Sequence, residues 1–432
     1  MNRLVGQRVL MLIENTSYST DGRVRREATT LAAAGCHVTV ICPKGPGEKW
    51  REVFGPVVAY QYPALPAVQG FLGYVLEYGY SLAASMLLSL WVAARTGFDV
   101  VHAHNPPDLF VFIGGFYRLF GKRFIFDQHD LAPEMYRVRF PNKSSNSLVF
   151  RSLVFFERLS CRWANHVIAA NDSYKRIDVE RSGISAEKIA VVRNGPEPCH
   201  LQIPEPEPGL NAGRRTLIGF VGEMGCQDGV DYLLRSLVHL IREFHHDDWH
   251  CVLIGGGDAV PEVKRLAIDL GISDRLHFTG FIDYRAVPRY IRAMDVCVSP
   301  DPSNDYSDRS TVIKLMEYMA QAKPMVVFDL PEHRVTAGES ALYARANDEV
   351  DFARQIARLM DDAALCEELG RIGRTRIVNT LAWCHQEQRL LNAYEAILAP
   401  RSIPQVKPTE MSSDNRKKGL KHTGQIASGA EA

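Results

Sequence analysis

The sequence predicts an α/β protein of two doubly wound domains, each a parallel sheet, facing one another across a central cleft. Three observations carry this. Short runs of Val, Ile, Leu and Phe recur along the 432 residues, without the alternation a half-exposed strand would show, so their strands are covered on both faces. Helical patterns separate these runs, which is the signature of successive β-α units. The alternation halts at "QIPEPEPGLNAG", residues 202–213, and then restarts. A stretch rich in Pro, Glu and Gly between two such series reads as a linker.

The elements follow in order. "RVLMLIEN" is a strand, and "DGRVRREATTLAAAG" a helix closed by Gly35, a common C-terminal stop. "HVTVICP" and "VVAYQYP" are strands. After an apolar helical stretch come "DVVHAHN", "RFIFDQHD", "HVIAAND" and "IAVVRNG". In the second half the strands are "TLIGFVGEMG", "HCVLIGGG", "LHFTGF", "DVCVSP" and "PMVVFDL". Between and after them lie the helices "VDYLLRSLVHLIREF", "AVPEVKRLAIDLG", "VPRYIRAM", "STVIKLMEYMAQ" and "EVDFARQIARLMDD". The expected boundaries are a first domain at 1–204, a linker at 205–213, a second domain at 214–380 and a last helix at 381–399. The tail at 400–432 is polar and aperiodic, and is expected to be disordered.

Composition removes several classes of function. Lys plus Arg equals Asp plus Glu, 50 each, so no whole-chain basic field draws nucleic acid. Nine cysteines form no C-x-x-C pair, which fits reduced thiols in the cytoplasm. No cleavage-site pattern precedes the first strand. The most apolar window, 71–94, is interrupted by Glu77 and several hydroxyls and reads as a buried or membrane-surface helix rather than a span. In "KSSNSLVFRSLVFFERLSCRWA", Lys143, Arg151, Arg158 and Arg162 punctuate Phe150, Val154, Phe155 and Phe156. That is the composition of a membrane-surface helix, or of a half-buried helix with snorkelling arginines.

Ligands of open α/β sheets bind at the carboxyl ends of strands, and the polar motifs fall there. "ENTSYSTDGRVRRE" offers a loop and helix N-terminus to an anion, unless Asp21 is simply a cap and the arginines a solvated face. "VHAHNPPD" and "FDQHD" gather His102, His104, Asp108, His129 and Asp130. His-x-His can place two ligands on one strand face, but His104 and Asp108 can equally serve the proline turn, and no metal is expected. His129 stands out as a cleft-facing group able to bond a sugar hydroxyl or a backbone carbonyl. "VGEMGCQDGVD" sets Gly222, Gly225, Asp228 and Gly229 where a ligand could approach the backbone; a mere strand-to-helix turn would look the same. In "SDRSTVIKLMEYMA", Ser307, Asp308 or Ser310 can cap a helix whose N-terminus favours phosphate. Lys314 adds a charge there. Glu317, on the same face, could accept two ribose hydroxyls; the alternative is a surface salt bridge between the two.

Through these motifs the sequence resembles the family 4 glycosyltransferases of GT-B fold, whose two domains are Rossmann-like. The resemblance rests on "DGRVRREATTLAAAGCHVTVI", "DVVHAHNPPD", "FDQHDLAPE", "VVRNGPE", "GEMGCQDGVDYLL", "DRLHFTGFI", "DVCVSPDPSNDYSDRSTVIKLMEYMAQAKPMVVFDL" and "ALYARANDEVDFA", in that order over roughly residues 8–398. It implies retaining transfer of a hexose from a nucleotide sugar, a UDP- or GDP-sugar acting as co-substrate, without a cofactor or essential metal. It implies that the last helix crosses back to the first domain, and that Asn194 and Gly195 form a structural turn near the hinge. Two departures stand out. Of the family's E-x7-E pair, Glu317 matches the second glutamate, which holds the ribose, but Arg309 replaces the first, with Asp308 beside it. The loop positions where the family often has Arg and Lys read Glu223 and Asp228, resembling a subgroup associated with bacterial exopolysaccharide assembly.

A departing nucleoside diphosphate gains negative charge and needs a cation. Lys314 is the expected substitute, with Asp308 or Arg309 at the donor sugar or diphosphate and His129 facing the reacting sugar. A lipid-linked or saccharide acceptor is expected on the first domain, with the enzyme in the cytoplasm, peripheral on the inner face of the plasma membrane. A sugar-nucleotide epimerase of the same fold and a non-catalytic nucleotide-sugar binder remain open.

Overall fold

The computed structural model describes residues 3–65, 71–141 and 147–399; the tail expected at 400–432 and Lys143 lie outside them. Two sheets organise the chain. The first contains β1 (Arg8–Leu12), β2 (His37–Lys44), β3 (Arg51–Phe54), β4 (Val57–Pro63), β5 (Val100–His104), β6 (Arg123–Gln128), β7 (His166–Ala169) and β8 (Ile189–Val191), in the order β3-β4-β2-β1-β5-β6-β7-β8. The second contains β9 (Thr216–Val221), β10 (Trp249–Ile254), β11 (Leu276–Gly280), β12 (Val296–Ser299), β13 (Met325–Phe328) and β14 (Ala341–Ala344), in the order β11-β10-β9-β12-β13-β14. Both wind outward in two directions, as the apolar runs predict. The order reverses beside β1 and β5 in one sheet and beside β9 and β12 in the other. Loops after those strands diverge and leave a crevice.

All strand pairs are parallel except β3 with β4, a hairpin at the sheet edge. The sequence reading missed β3 because "REVF" alternates exposed and half-buried positions and has no apolar run. It also left β14 and the helices Pro331–Ala337 and Ala363–Arg376 unassigned. The last helix, Trp383–Leu398, packs on the first sheet and on the helix Gly22–Ala33. There the Trp383 indole donates to Thr30 Oγ1 at 3.0 Å.

The apolar helix predicted at 71–94 forms as Phe71–Arg95, and three of its serines face inward while several of its apolar residues face outward. Ser81, Ser85 and Ser89, spaced one turn apart, are buried, while Val75, Leu76, Leu87 and Leu90 are exposed. Inside, Ser81 donates to Glu14 Oε1 at 3.2 Å and Ser89 meets the Tyr117 hydroxyl at 3.0 Å. This helix is long and apolar enough to cross a membrane by length and composition, and only 22% of its most apolar window is buried.

Beneath the neighbouring helices lies a nest of carboxyls. Asp178 is fully buried, and burial pushes its carboxyl up to about 7. Its folded pKa is raised, so its stabilising contribution is complete below the ordinary aspartate range and is lost as pH rises through about 7. Asp178→Asn mimics the protonated form. The variant's stability advantage over the parent should grow by about 2 kcal/mol between pH 5 and pH 8, read by urea unfolding at both pH values. Equal differences at the two pH values would refute this.

Candidate active site

The second-sheet side is built around the helix Ile313–Ala320 that follows β12. The sequence reading capped this helix with Ser307, Asp308 or Ser310. Instead residues Ser307–Arg309 form a separate 3-10 turn and the helix starts at Ile313 without a side-chain cap. The reason lies across the crevice. Ser310 Oγ meets the Tyr174 hydroxyl at 2.9 Å, and Thr311 Oγ1 accepts from Asn171 and Arg193 at 3.0 and 3.1 Å. These groups are committed to the first half of the chain. Lys314 therefore sits in the first turn, where uncapped N–H groups and the helix dipole favour an anion.

Lys314 and Glu317 are both buried, and they do not pair with each other. The Lys314 ammonium lies 2.8 Å from Asp301 and 3.6 Å from Asp228, with the Phe220 ring centroid 4.6 Å away. Burial works to raise the Asp301 carboxyl, but Lys314 and His333 override it and hold it below the usual range. Burial also raises Asp228, to about 6, against the pull of Lys314. Asp228 further accepts from the Gly225 N–H at 3.0 Å, closing its own loop. Asp228 thus faces the ammonium as a partner of the cation.

The glycines of this loop make the approach possible. A Cβ on Gly229, at φ +65°, would lie 2.0 Å from the Pro300 carbonyl oxygen, and one on Gly222, at φ +146°, would reach 3.8 Å from Lys314 Cε. Only Gly adopts both conformations readily.

Glu317 accepts from the Tyr284 hydroxyl at 2.9 Å, and burial raises its carboxyl. It lines a small pocket with His200, Tyr284, Val287, Pro288, Ile291 and Gln321. Tyr284 had no signal in the sequence. Asp301, by contrast, follows a strand as the other motif residues do and could have been singled out.

The expected roles of the loop residues fare differently. The Arg309 guanidinium is half-exposed and bonds Asp305, so it does not join Lys314. Its backbone carbonyl accepts from Asn171 at 2.8 Å, making it part of a staple between the halves. Asp308 turns inward. One oxygen accepts from Ser303 at 3.2 Å and the other is buried without a partner among the described residues.

On the first-sheet side, His102 and His104 share a face of β5 and stack at 4.2 Å between ring centroids. His129, just past β6, has Nε2 3.0 Å from His104 Nδ1 and 3.4 Å from Asp127. Its ring is 15% exposed. Asp108 and Asp130, grouped with these histidines in the sequence, go elsewhere. Asp108 accepts from Asn105, and Asp130 accepts from Tyr306 of the second half at 2.8 Å. Asp21 caps the Gly22–Ala33 helix through the Val24 N–H. Arg23 is no solvated face; it is buried against Asp127 at 2.9 Å and also donates to Asn194.

The architecture is shared with solved structures. Sucrose-phosphate synthase from Thermosynechococcus elongatus superposes with a TM-score of 0.73 at 20% identity, covering 90% of this chain and 99% of that one. HepE of Anabaena, in complex with UDP-glucose, gives 0.67 at 14% identity over 90% and 99%. Residues 23–198 match the family model Glycosyltransferase Family 4, and residues 215–362 match Glycosyl transferases group 1. The chain is a glycosyltransferase of the GT-B type. Among curated relatives of this glycosyltransferase, the 2-deoxystreptamine glucosyltransferase of Streptomyces kanamyceticus is 21% identical over 328 residues, 73% of this chain and 82% of that one. The alpha-D-kanosaminyltransferase of the same organism is 26% identical over 157 residues, 36% of this chain and 39% of that one. The aligned part of the latter is thus well under half of its length.

Proposed function

We propose that this glycosyltransferase moves a hexose from a UDP- or GDP-sugar to a lipid-linked or saccharide acceptor with retention of configuration. Its setting is the assembly of bacterial surface polysaccharide at the inner face of the plasma membrane, without a metal. The observation that carries the donor assignment is the pairing of functions on one helix. Lys314 stands in the uncapped first turn, and Glu317, one turn on, faces the apolar pocket. The spacing suits a diphosphate followed by a ribose. HepE's complex with UDP-glucose supports the same class of donor.

The membrane reading rests on the exposed apolar residues Val75, Leu76, Leu87 and Leu90 of the helix Phe71–Arg95. Nearby helices add exposed Phe112, Leu119, Phe120, Phe155 and Trp163, with Arg151, Arg158 and Arg162 also exposed. Apolar surface of this extent beside arginines suits an anionic bilayer. Leu87→Glu with Leu90→Glu should reduce co-flotation with phosphatidylglycerol vesicles about ten-fold and leave thermal unfolding nearly unchanged. Undiminished flotation would sink the membrane reading.

The activity test incubates the protein with UDP- and GDP-sugars, with and without bacterial membrane lipids. Nucleoside diphosphate released together with a glycosylated lipid is the expected result. A new sugar epimer formed without acceptor would replace the proposal with an epimerase. Saturable binding without turnover would leave a binding protein, the reading that Arg309 in place of a glutamate favours.

A further inference from the structure

Among the described residues, Glu27, His102, His104 and Asp127 lie close enough to hold a metal ion. A cation is already there: the Arg23 guanidinium stands 3.1 Å from Glu27 and 2.9 Å from Asp127. The group is better read as a hydrogen-bond network, and its protons can be placed one at a time.

Burial raises the Tyr394 hydroxyl far above its ordinary range, so it stays protonated, and it meets His102 Nδ1 at 2.7 Å. His102 Nε2 is 3.3 Å from Asp127 Oδ2 and makes no hydrogen bond among the described residues. Burial, and then His102, push His104 well below the usual histidine range, so His104 is neutral and has one proton to place. Its Nε2 is buried with no partner among the described residues. Its Nδ1 lies 3.0 Å from His129 Nε2 and 3.4 Å from Asp127 Oδ2. A proton on Nε2 would orphan a buried N–H, whereas the cost of a lone pair facing Asp127 Oδ2 is the same for His104 Nδ1 and His129 Nε2, both 3.4 Å away. A proton on Nδ1 leaves only an unfilled acceptor. Orphaned donors are the rarer and costlier of the two.

We propose that His104 is a positioning residue that fixes the tautomer of His129: its Nδ1–H donates to His129 Nε2, so neutral His129 carries its proton on Nδ1. Two N–H groups cannot face each other at the 3.0 Å separation seen here, so His129 Nε2 must accept. The His129 backbone N–H donates to Asn105 Oδ1 at 2.6 Å, which anchors the root of the ring. The remaining edge, Nδ1–H, has no partner among the described residues. His129 therefore offers the crevice a hydrogen-bond donor, fit for a sugar oxygen, and not a lone pair that could take a proton. Such a residue selects a donor sugar with an oxygen at that point. This deepens the transferase reading and rests on it only for the oxygen addressed.

Tautomers are seen directly in long-range 1H–15N spectra of protein labelled with 15N-histidine, with His129 assigned by its loss in His129→Gln. The expected wild-type spectrum shows His129 protonated on Nδ1; protonation on Nε2 overturns the proposal, whatever the enzyme's substrate. His104→Asn places an amide N–H where Nδ1–H stood, whereas His104→Leu removes it. The His129 proton should stay on Nδ1 in the Asn variant and move to Nε2, toward Asp127, in the Leu variant. With UDP-glucose as probe, His104→Leu should lower kcat about ten-fold or more with little change in KM, and His104→Asn should recover most of it. Equal kcat in the two variants, with tautomer unchanged, also overturns the proposal. If wild-type protein does not turn over UDP-glucose, the donor reading is at fault and the spectrum alone decides this one.

Discussion

Lys314→Met will abolish donor binding and destabilise the fold by about 3–5 kcal/mol, because it strands the buried Asp301 and the half-buried Asp228 without their cation. The Lys314 ammonium touches Asp301 and Asp228, and Asp301 is buried. A loss of binding alone could therefore be a loss of structure. Lys314→Met combined with Asp301→Asn separates the two. The pair removes one positive and one negative charge, leaves Asp228, raised by burial and freed of the downward pull of Lys314, to take up a proton, and should recover most of the stability. It should not recover binding, since nothing then answers the diphosphate's charge. Calorimetric titration with UDP and GDP, beside urea unfolding, reads both quantities. A double variant that binds nucleoside diphosphate like the parent would remove Lys314 from the donor site.

Glu317→Ala is expected to weaken donor binding about 30-fold, the loss of charge-assisted bonds to two ribose hydroxyls, at a structural cost of about 1–2 kcal/mol. The structural cost comes from Tyr284, whose hydroxyl loses its 2.9 Å acceptor. Tyr284→Phe provides the opposite sign. The tyrosine occupies the carboxylate that the ribose needs, so removing its hydroxyl should leave nucleotide affinity equal or improved. Titration of all three proteins with UDP and GDP decides. Unchanged affinity in Glu317→Ala, with a large drop in thermal stability, would make Glu317 a purely structural partner of Tyr284.

The charges of Lys314 and Glu317 are visible in "VIKLMEYMA" for a geometric reason. Two long charged residues three apart in an apolar helix must leave the same face, so their exit toward a crevice could be read from one segment. Their partners could not. The surface salt bridge that competed with the donor reading fails because Lys314 turns to Asp301 and Glu317 to Tyr284. The start of the helix was misplaced for a related reason. Asp308 and Ser310 have good capping chemistry, but Ser310 and Thr311 bond the opposite half of the chain, and that contact outweighs a cap worth about 1 kcal/mol. Arg309 likewise looked like a replacement for a catalytic carboxylate, yet its side chain serves Asp305 and its backbone the junction.

The sequence by itself determined two doubly wound sheets, their order along the chain, and the strand ends at which polar residues accumulate. It could do so because burial of a parallel strand on both faces demands an apolar run, and each run is local. The tertiary structure alone decided which charges compensate one another. His102 meets Tyr394 across 292 residues of sequence, and Arg23 reaches Asp127 across 104. Whether a buried ionisable group is charged, neutral, donor or acceptor depends on distances of about 3 Å between such groups. No spacing along the chain encodes those distances, because they are set by how the two sheets, the crossing helix and their loops pack together.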